Sequence, residues 1–477
     1  MTVSAVRNAP VGERPAQLHR EMGFRDLLLF YLVTGFTVRW IGTAASAGPS
    51  AIVIWLMACL AFYVPLMFTV LELSSRYPNE GGCYVWSKRA FGDFAGFITG
   101  WTYWACNLPY FPGLFYFTAA AALFIGGPEW RQLADRPLYF IVFSLLALAL
   151  AADLNVRGLA VGKWLHNLGA VGLWVPGLFL MALGLVAWVR FGSATPFTGE
   201  SIVPSTRLKD IVFWSTIAFS LSGLESASMM GEEIRDARRN IPRALLLAGA
   251  LITTLYVLGT VAILVALPPA EILHLQGFMT AIETVSRKLE VGGLVPLIAA
   301  LIVVGGLGQA GAWFAAGGRL PFVAGLDRFL PAAFGRIHPR YGSPHISLIT
   351  QAGIAAVFIL LGQAGTTVKG AYDVLVSMAI ISYFIPYLFM FASMIRLQRE
   401  PVGPDVIRVP GGRPVAVALA ALGFAVTTVS IGLALIPAED EPNKVLAVTK
   451  VAGLTILLVA GGALVYFLGR RREHARP

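Results

Sequence analysis

Arg39 stands inside the apolar run YLVTGFTVRWIGTAASAGPS (31–50), with no acidic residue for a dozen positions on either side. A second buried-type charge, Glu225, lies in FSLSGLESASMMGEE (219–233). A guanidinium or carboxylate in such surroundings is costly, so it must pair, bond backbone or act. The chemistry open to these two is recognition of charge and movement of a proton. Catalytic constellations are missing. His166, His274, His338 and His345 fall in different loops or span ends, with no triad or metal spacing. Cys59, Cys83 and Cys106 lie in or beside apolar segments and have neither metal nor disulfide spacing. No P-loop pattern occurs. A membrane transferase is therefore disfavoured, the chain reads as a non-enzyme, and neither metal nor cofactor is expected.

The elements that carry these charges follow from composition. Of 477 residues, 57% are hydrophobic and 13% charged, about half the charge of a soluble protein. The apolar runs recur from end to end, so the expectation is an all-α, multi-pass membrane protein in a lipid bilayer. The net charge of +10 does not mark a nucleic-acid binder, because the basic residues sit in short loops between apolar runs. At roughly 20 residues per crossing, about twelve spans are expected: 24–46, 49–72, 93–125, 137–154, 160–188, 209–230, 243–267, 291–317, 345–363, 371–395, 413–436 and 446–468. With the N-terminus inside, roughly 25 of the 36 basic residues face inward, which favours cytoplasmic termini under the positive-inside rule. The first twenty or so residues are polar and do not read as a signal peptide.

Two spans read as interrupted. The first has Gly35, Gly42 and Gly48 around Arg39, and the sixth has Ser220, Ser222 and Gly223 before Glu225. They are five spans apart, so they run in opposite directions. Interrupted helices at matching places in two halves point to an inverted-repeat secondary transporter. Broken ends leave backbone groups free, which is tolerable only around a cavity. Those groups can bind a substrate's carboxylate and amine. Close glycine packing is the plainer reading of either span alone.

Longer stretches resemble a known family. AGPSAIVIWLMACLAFYVPLMFTVLELSSRYPNEGGCYVWSKRAFGDFAGFITGWTYW (47–104), IAFSLSGLESASMMGEEIRDARRNIPRAL (217–245), WFAAGGRLPFVAGLDRFLPAAFGRIHPRYGSP (313–344) and IRVPGGRP (407–414) are similar to segments of the amino acid–polyamine–organocation transporters, in the expected order. The resemblance covers roughly 24–436 and includes amino acid permeases and the glutamate/GABA and arginine/agmatine antiporters. It implies a LeuT-like fold: a tail (1–23), a five-helix repeat (24–188), an inverted repeat (209–395), two further helices (413–468) and a second tail (469–477). It also implies alternating-access transport of a small amino acid or amine, by a monomer or homodimer.

Carried over by resemblance, Glu225 gates the site and is a candidate for protonation, with Tyr103 and Tyr387 as gate tyrosines. Trp313 matches a pocket-lining tryptophan. Phe219 replaces the tryptophan that stacks on arginine in the antiporters, which weakens the case for a guanidinium substrate. Asn107, Phe111, Ser220, Ser222 and Gly223 align with pocket positions, and Gly42 and Thr43 join Arg39 as first-span candidates. Packing alone also accounts for each of these side chains. In the loops, Tyr84 and Trp86 suit an interface, and Glu232, Glu233 and Asp236 are expected to pair with Arg235, Arg238 and Arg239. The fifth-span lysine that replaces sodium in some members is absent: Leu173 or Trp174 stands there, and Lys163 reads as a snorkelling side chain. Proton coupling through Glu225 and exchange against a counter-substrate both stay open. The substrate expectation leans to an acidic or neutral amino acid, with a polyamine as runner-up. Arg39, roughly 20 Å past Asp26 at 1.5 Å per residue, is expected to face the central cavity. Its expected partners are Glu225 or a substrate anion, or else the carbonyls of its own broken helix.

Overall fold

The computed structural model describes residues 23–474, apart from 78–80, 206–207, 227, 229–233, 273–274, 327–328, 402, 404–405 and 439–440. The described residues are helical, without strands. Nine of these helices are long and apolar enough to cross a membrane, or ten when one bent pair is taken as a single span. Each of the twelve expected runs holds helix. The other two fall outside the count because they are interrupted.

The bent pair is the first span. α1 (Phe24–Gly35) starts where the Gly23 N–H donates to the Asp26 carboxylate at 2.9 Å, an acid placed to suit a helix N-terminus. Phe36 and Thr37 are extended, and α2 (Val38–Ala45) continues at 41°. The interruption thus precedes Arg39, which lies within α2, and Gly42 is an interior helical position packed against the backbone of Phe278. The expected loosening around Arg39 is corrected on both counts. α3 (Ser50–Arg76) contains a π-helical turn at Cys59–Tyr63. α4 (Cys83–Phe91) packs on α5 (Asp93–Ala105), which meets α6 (Asn107–Ala122) at Cys106. Tyr84 and Trp86 on α4 are buried at 4% and 0% exposure, so they are packing residues and not interfacial ones.

α7 (Pro137–Val156) and α8 (Leu159–Phe191) follow, then α9 (Leu208–Ser220), which ends as the chain turns irregular at Leu221. α10 (Ala237–Ala266), α11 (Gly277–Lys288), α12 (Val295–Leu326), α13 (His345–Gln363), α14 (Val368–Leu397), α15 (Gly412–Ala434) and α16 (Lys444–His474) complete the chain. Glu232 and Glu233 lie outside the described residues, as do His274 and the side chains of Lys163, His166 and Arg238, while Arg235, Asp236 and Arg239 are exposed. His338 and His345 do not stay apart as expected: their rings meet edge to face at 5.1 Å.

α8 and α12 approach backbone to backbone. A Cβ on Gly172 would stand 2.4 Å from the Leu301 carbonyl and 2.5 Å from the Gly305 nitrogen, and one on Gly169 would stand 2.6 Å from the Gly308 Cα. Small residues permit such approach in membranes, where packing itself drives helix association.

Candidate substrate site and gate

The two interruptions meet at one side chain. The hydroxyl of Tyr256, on α10, lies 3.1 Å from the Gly35 carbonyl and 3.3 Å from the Ser220 carbonyl, and accepts the Thr37 N–H at 3.2 Å. Gln309, on α12, donates its amide to the Val33 and Phe36 carbonyls at 3.1 Å each. Together they satisfy backbone groups that a broken helix exposes and that would otherwise cost heavily away from water.

Beside this junction lies a cavity of about 30 Å³, room for little more than a water. Asn107, Phe219, Ser220, Ser222 and Trp313, expected at the pocket, line it. Thr37 Oγ1 and Trp313 Nε1, both on lining residues, are buried without a hydrogen-bond partner. Phe111 is not at the cavity. It stacks on Phe314 at 4.1 Å, inside the packing of α6 on α12. Trp40, Tyr110 and Tyr383 also line the cavity and were not singled out in the sequence. A wider vestibule of about 690 Å³ opens on the other side of Trp40, whose indole borders both spaces and meets the edge of Phe219 at 5.7 Å. Thr43 lines this vestibule.

Glu225 is 1% exposed and accepts four hydrogen bonds. Tyr103 donates to Oε1 at 2.8 Å and Tyr383 to the same oxygen at 2.5 Å. Tyr387 donates to Oε2, and the Gly223 N–H reaches that oxygen at 3.2 Å. Gly223 takes φ +101°, a conformation that suits glycine, and so aims its N–H at the carboxylate. The three expected gate residues therefore form one cluster. Tyr383 was missed, although it stands one turn before Tyr387 on α14 and faces the same way.

Arg39 is 1% exposed. It is not paired with Glu225, and the carbonyls of its own broken span are taken by Gln309 and Tyr256. Its guanidinium lies 4.1 Å from the Trp40 ring centre and 5.0 Å from that of Tyr110. Nε and Nη1 are buried without an acceptor. Two of the three partners expected from sequence are thus excluded in this conformation.

A second polar network ties the far ends of α3 and α14. Glu72, 2% exposed, pairs with Arg76 at 2.5 Å and accepts from Gln398 Nε2 at 2.6 Å and the Val409 N–H at 3.1 Å. Nearby, Arg89 Nε and Nη2 lie 3.0 and 2.8 Å from Glu400 Oε2, and the Tyr77 hydroxyl is 2.8 Å from the same oxygen. Hydrogen bonding from Arg89, then from Tyr77, holds the Glu400 carboxyl below the usual carboxylate range.

Residues 27–468 match the family model described as Amino acid permease. The chain belongs to this family. It is 28% identical over 427 residues to an uncharacterized transporter of Legionella pneumophila, covering 88% of this chain and 90% of that one. It is 23% identical to a probable agmatine/putrescine antiporter of Lactococcus lactis, covering 92% and 93%. It is 24% identical to a glutamate/serine transporter of Bacillus subtilis, covering 82% and 73%. The crystal structure of MhsT in complex with L-phenylalanine superposes with a TM-score of 0.57 at 14% identity, over 92% of this chain and 98% of that chain. That likeness concerns the fold, which is LeuT-like with broken first and sixth spans. This member of the family is a multi-pass membrane transporter and not an enzyme.

Proposed function

We propose that this chain carries an amino acid or related amine across the cytoplasmic membrane by alternating access, with both termini in the cytoplasm. The observation that carries the reading is the meeting of two interrupted helices beside a small cavity, one of whose lining residues, Tyr383, belongs to the hydrogen-bonded cluster around Glu225. In the orientation favoured by the basic loops, the vestibule faces outward and the Glu225 cluster lies on the cytoplasmic side of the cavity. The repeats would span 24–188 and 209–395. Substrate then enters past Trp40, rests between the two breaks, and leaves when Tyr103, Tyr383 and Tyr387 release the carboxylate. Such a cycle needs no covalent step. Substrate backbone groups meet main-chain groups freed at the breaks, while Thr37 Oγ1 and Trp313 Nε1 offer additional contacts. The glutamate/serine and agmatine/putrescine relatives frame the range of substrates.

Purified protein in proteoliposomes tests the reading. Labelled amino acids and their decarboxylated amines are offered, with and without the same compound inside. Saturable uptake is expected, and exchange with internal substrate marks antiport. Flux indistinguishable from empty liposomes for every compound overturns the proposal.

A further inference from the structure

We infer that Arg39 is the receptor for a second carboxylate, so that the transported substrate is an acidic amino acid. This rests on the transport reading above and narrows it to a substrate class.

The argument starts from where charge is buried. The charged residues buried in the interior, among those described, include Arg39, Glu72, Glu225 and Glu283. Glu72 pairs with Arg76, and Glu283 lies between Arg131 and Arg287. Glu225 has both oxygens occupied by three hydroxyls and one N–H. Arg39 differs: it forms no ion pair among the described residues, its Nε and Nη1 are buried without an acceptor, and its guanidinium lies against the Trp40 and Tyr110 rings. Cation–π contacts recover roughly 0.5–2 kcal/mol, far below what burying an ion costs. A guanidinium is always charged and presents its donors in a fork that fits a carboxylate. Leaving that fork empty is intelligible if its acceptor arrives with the substrate.

Position supports the same assignment. Arg39 sits inside α2, past the break, so it does not compete for the substrate's backbone groups. Trp40 borders both cavity and vestibule, Tyr110 lines the cavity, and Thr43, one turn on, lines the vestibule. The guanidinium is thus screened from both spaces by one layer of aromatic rings. Sorting by charge does not fall to the mouth, where Asp135, Lys369 and Asp373 leave mixed signs. Nor do the described interior residues around the cavity offer a cationic substrate an unbonded carboxylate, since Glu225 already accepts four hydrogen bonds.

The experiment is competition for uptake in proteoliposomes containing the full chain, with L-glutamate and L-aspartate set against L-glutamine, L-serine, L-arginine and putrescine. Wild type is expected to take the acidic amino acids at least about tenfold better in kcat/KM. Arg39→Gln should lose that preference, with KM for the acidic amino acids rising to that for L-glutamine, and Arg39→Lys should retain part of it. Wild-type preference for neutral or cationic compounds overturns the assignment whatever the variants do, as does an Arg39→Gln protein with an unchanged ratio. Replacing chloride by gluconate should change nothing. A chloride requirement shared by all substrates and abolished by Arg39→Gln would instead make Arg39 a chloride site. If no compound is transported, the transport reading fails first. Thermal shift of the detergent-purified protein then decides the charge question separately: stabilisation by L-glutamate but not L-glutamine sustains it, and equal responses sink it.

Discussion

The Tyr103 hydroxyl donates to Glu225 across 2.8 Å, joining residues 122 positions apart. This bond links the third span to the irregular stretch after α9, and Tyr383 and Tyr387 add the tenth span to the same carboxylate. In the proposed cycle, opening there breaks the three hydroxyl bonds to this carboxyl group. Stranding one buried partner costs about 1–3 kcal/mol, so losing one bond shifts an equilibrium that depends on it several-fold or more. Uptake by Tyr103→Phe is expected to fall at least about fivefold. Glu225→Gln should fall further, because its amide nitrogen must face either two hydroxyls or the Gly223 N–H with a hydroxyl. Wild-type rates in both variants would remove the gate.

Tyr256→Phe deprives two carbonyls and one N–H at the breaks of their common partner. Stranding buried polar groups costs about 1–3 kcal/mol, so the melting temperature in detergent should drop by a few degrees. A melting point within one degree of wild type would show that water or backbone adjustment replaces the hydroxyl.

What the sequence disclosed divides along a physical line. Span positions are legible because the bilayer demands unbroken apolar runs, and Glu225 was legible because a carboxylate inside such a run has few innocent explanations. Tyr103 and Tyr387 came from resemblance. Tyr256 and Gln309 gave no signal: a tyrosine or glutamine in an apolar helix takes its role from where another chain segment happens to break. The place of the first break was misjudged for a related reason. Glycines mark freedom to bend, but the extended residues are Phe36 and Thr37, and their conformation is held from outside by those two side chains. Arg39 stood out as a lone charge in an apolar run, yet its surroundings are aromatic, which a search for an opposite charge could not find.

Trp40→Ala should join cavity and vestibule. Cys106 lines the cavity and is a built-in reporter, while Cys83 is buried elsewhere. A hydrophilic maleimide added from outside is expected to label Cys106 at least about tenfold faster in the variant, with Cys83 unchanged. Equal labelling of Cys106 in both proteins would mean that Trp40 is not the barrier.

The lowered Glu400 carboxyl fixes a sign. A depressed folded pKa stabilises above the ordinary carboxylate value, near 4.3, and the contribution is lost only as pH falls through the depressed value. Glu400→Gln should therefore cost the same melting shift at pH 7.5 and 5.5, with the difference from wild type shrinking only in stronger acid. Because the pair is partly exposed, the cost is at most about 1 kcal/mol. A shift that fades between pH 7.5 and 5.5 would contradict the lowered value.

Gly305→Ala places a Cβ 2.8 Å from Gly172 backbone atoms, and neither helix has a side chain there to yield. Overpacking typically costs about 1–3 kcal/mol, so purified yield and melting temperature should both fall. Gly453→Ala, a helical position with nothing within 4 Å, should match or slightly exceed wild type. Equal stability of the two variants would deny the close approach.

That contact between α8 and α12 also has a mechanical meaning. Helices that touch through interdigitated side chains can re-mesh by rotamer changes, so they slide or roll at modest cost. Here main chain rests on main chain at Gly169, Gly172, Gly305 and Gly308, and no rotamers exist to exchange. The two helices behave as one rigid strut. Because α12 also carries Gln309, the broken end of α1 is pinned to that strut. In the proposed alternating-access cycle, Phe36 and Thr37 are then the expected pivot, with the strut as the stationary member against which the rest of the machine turns.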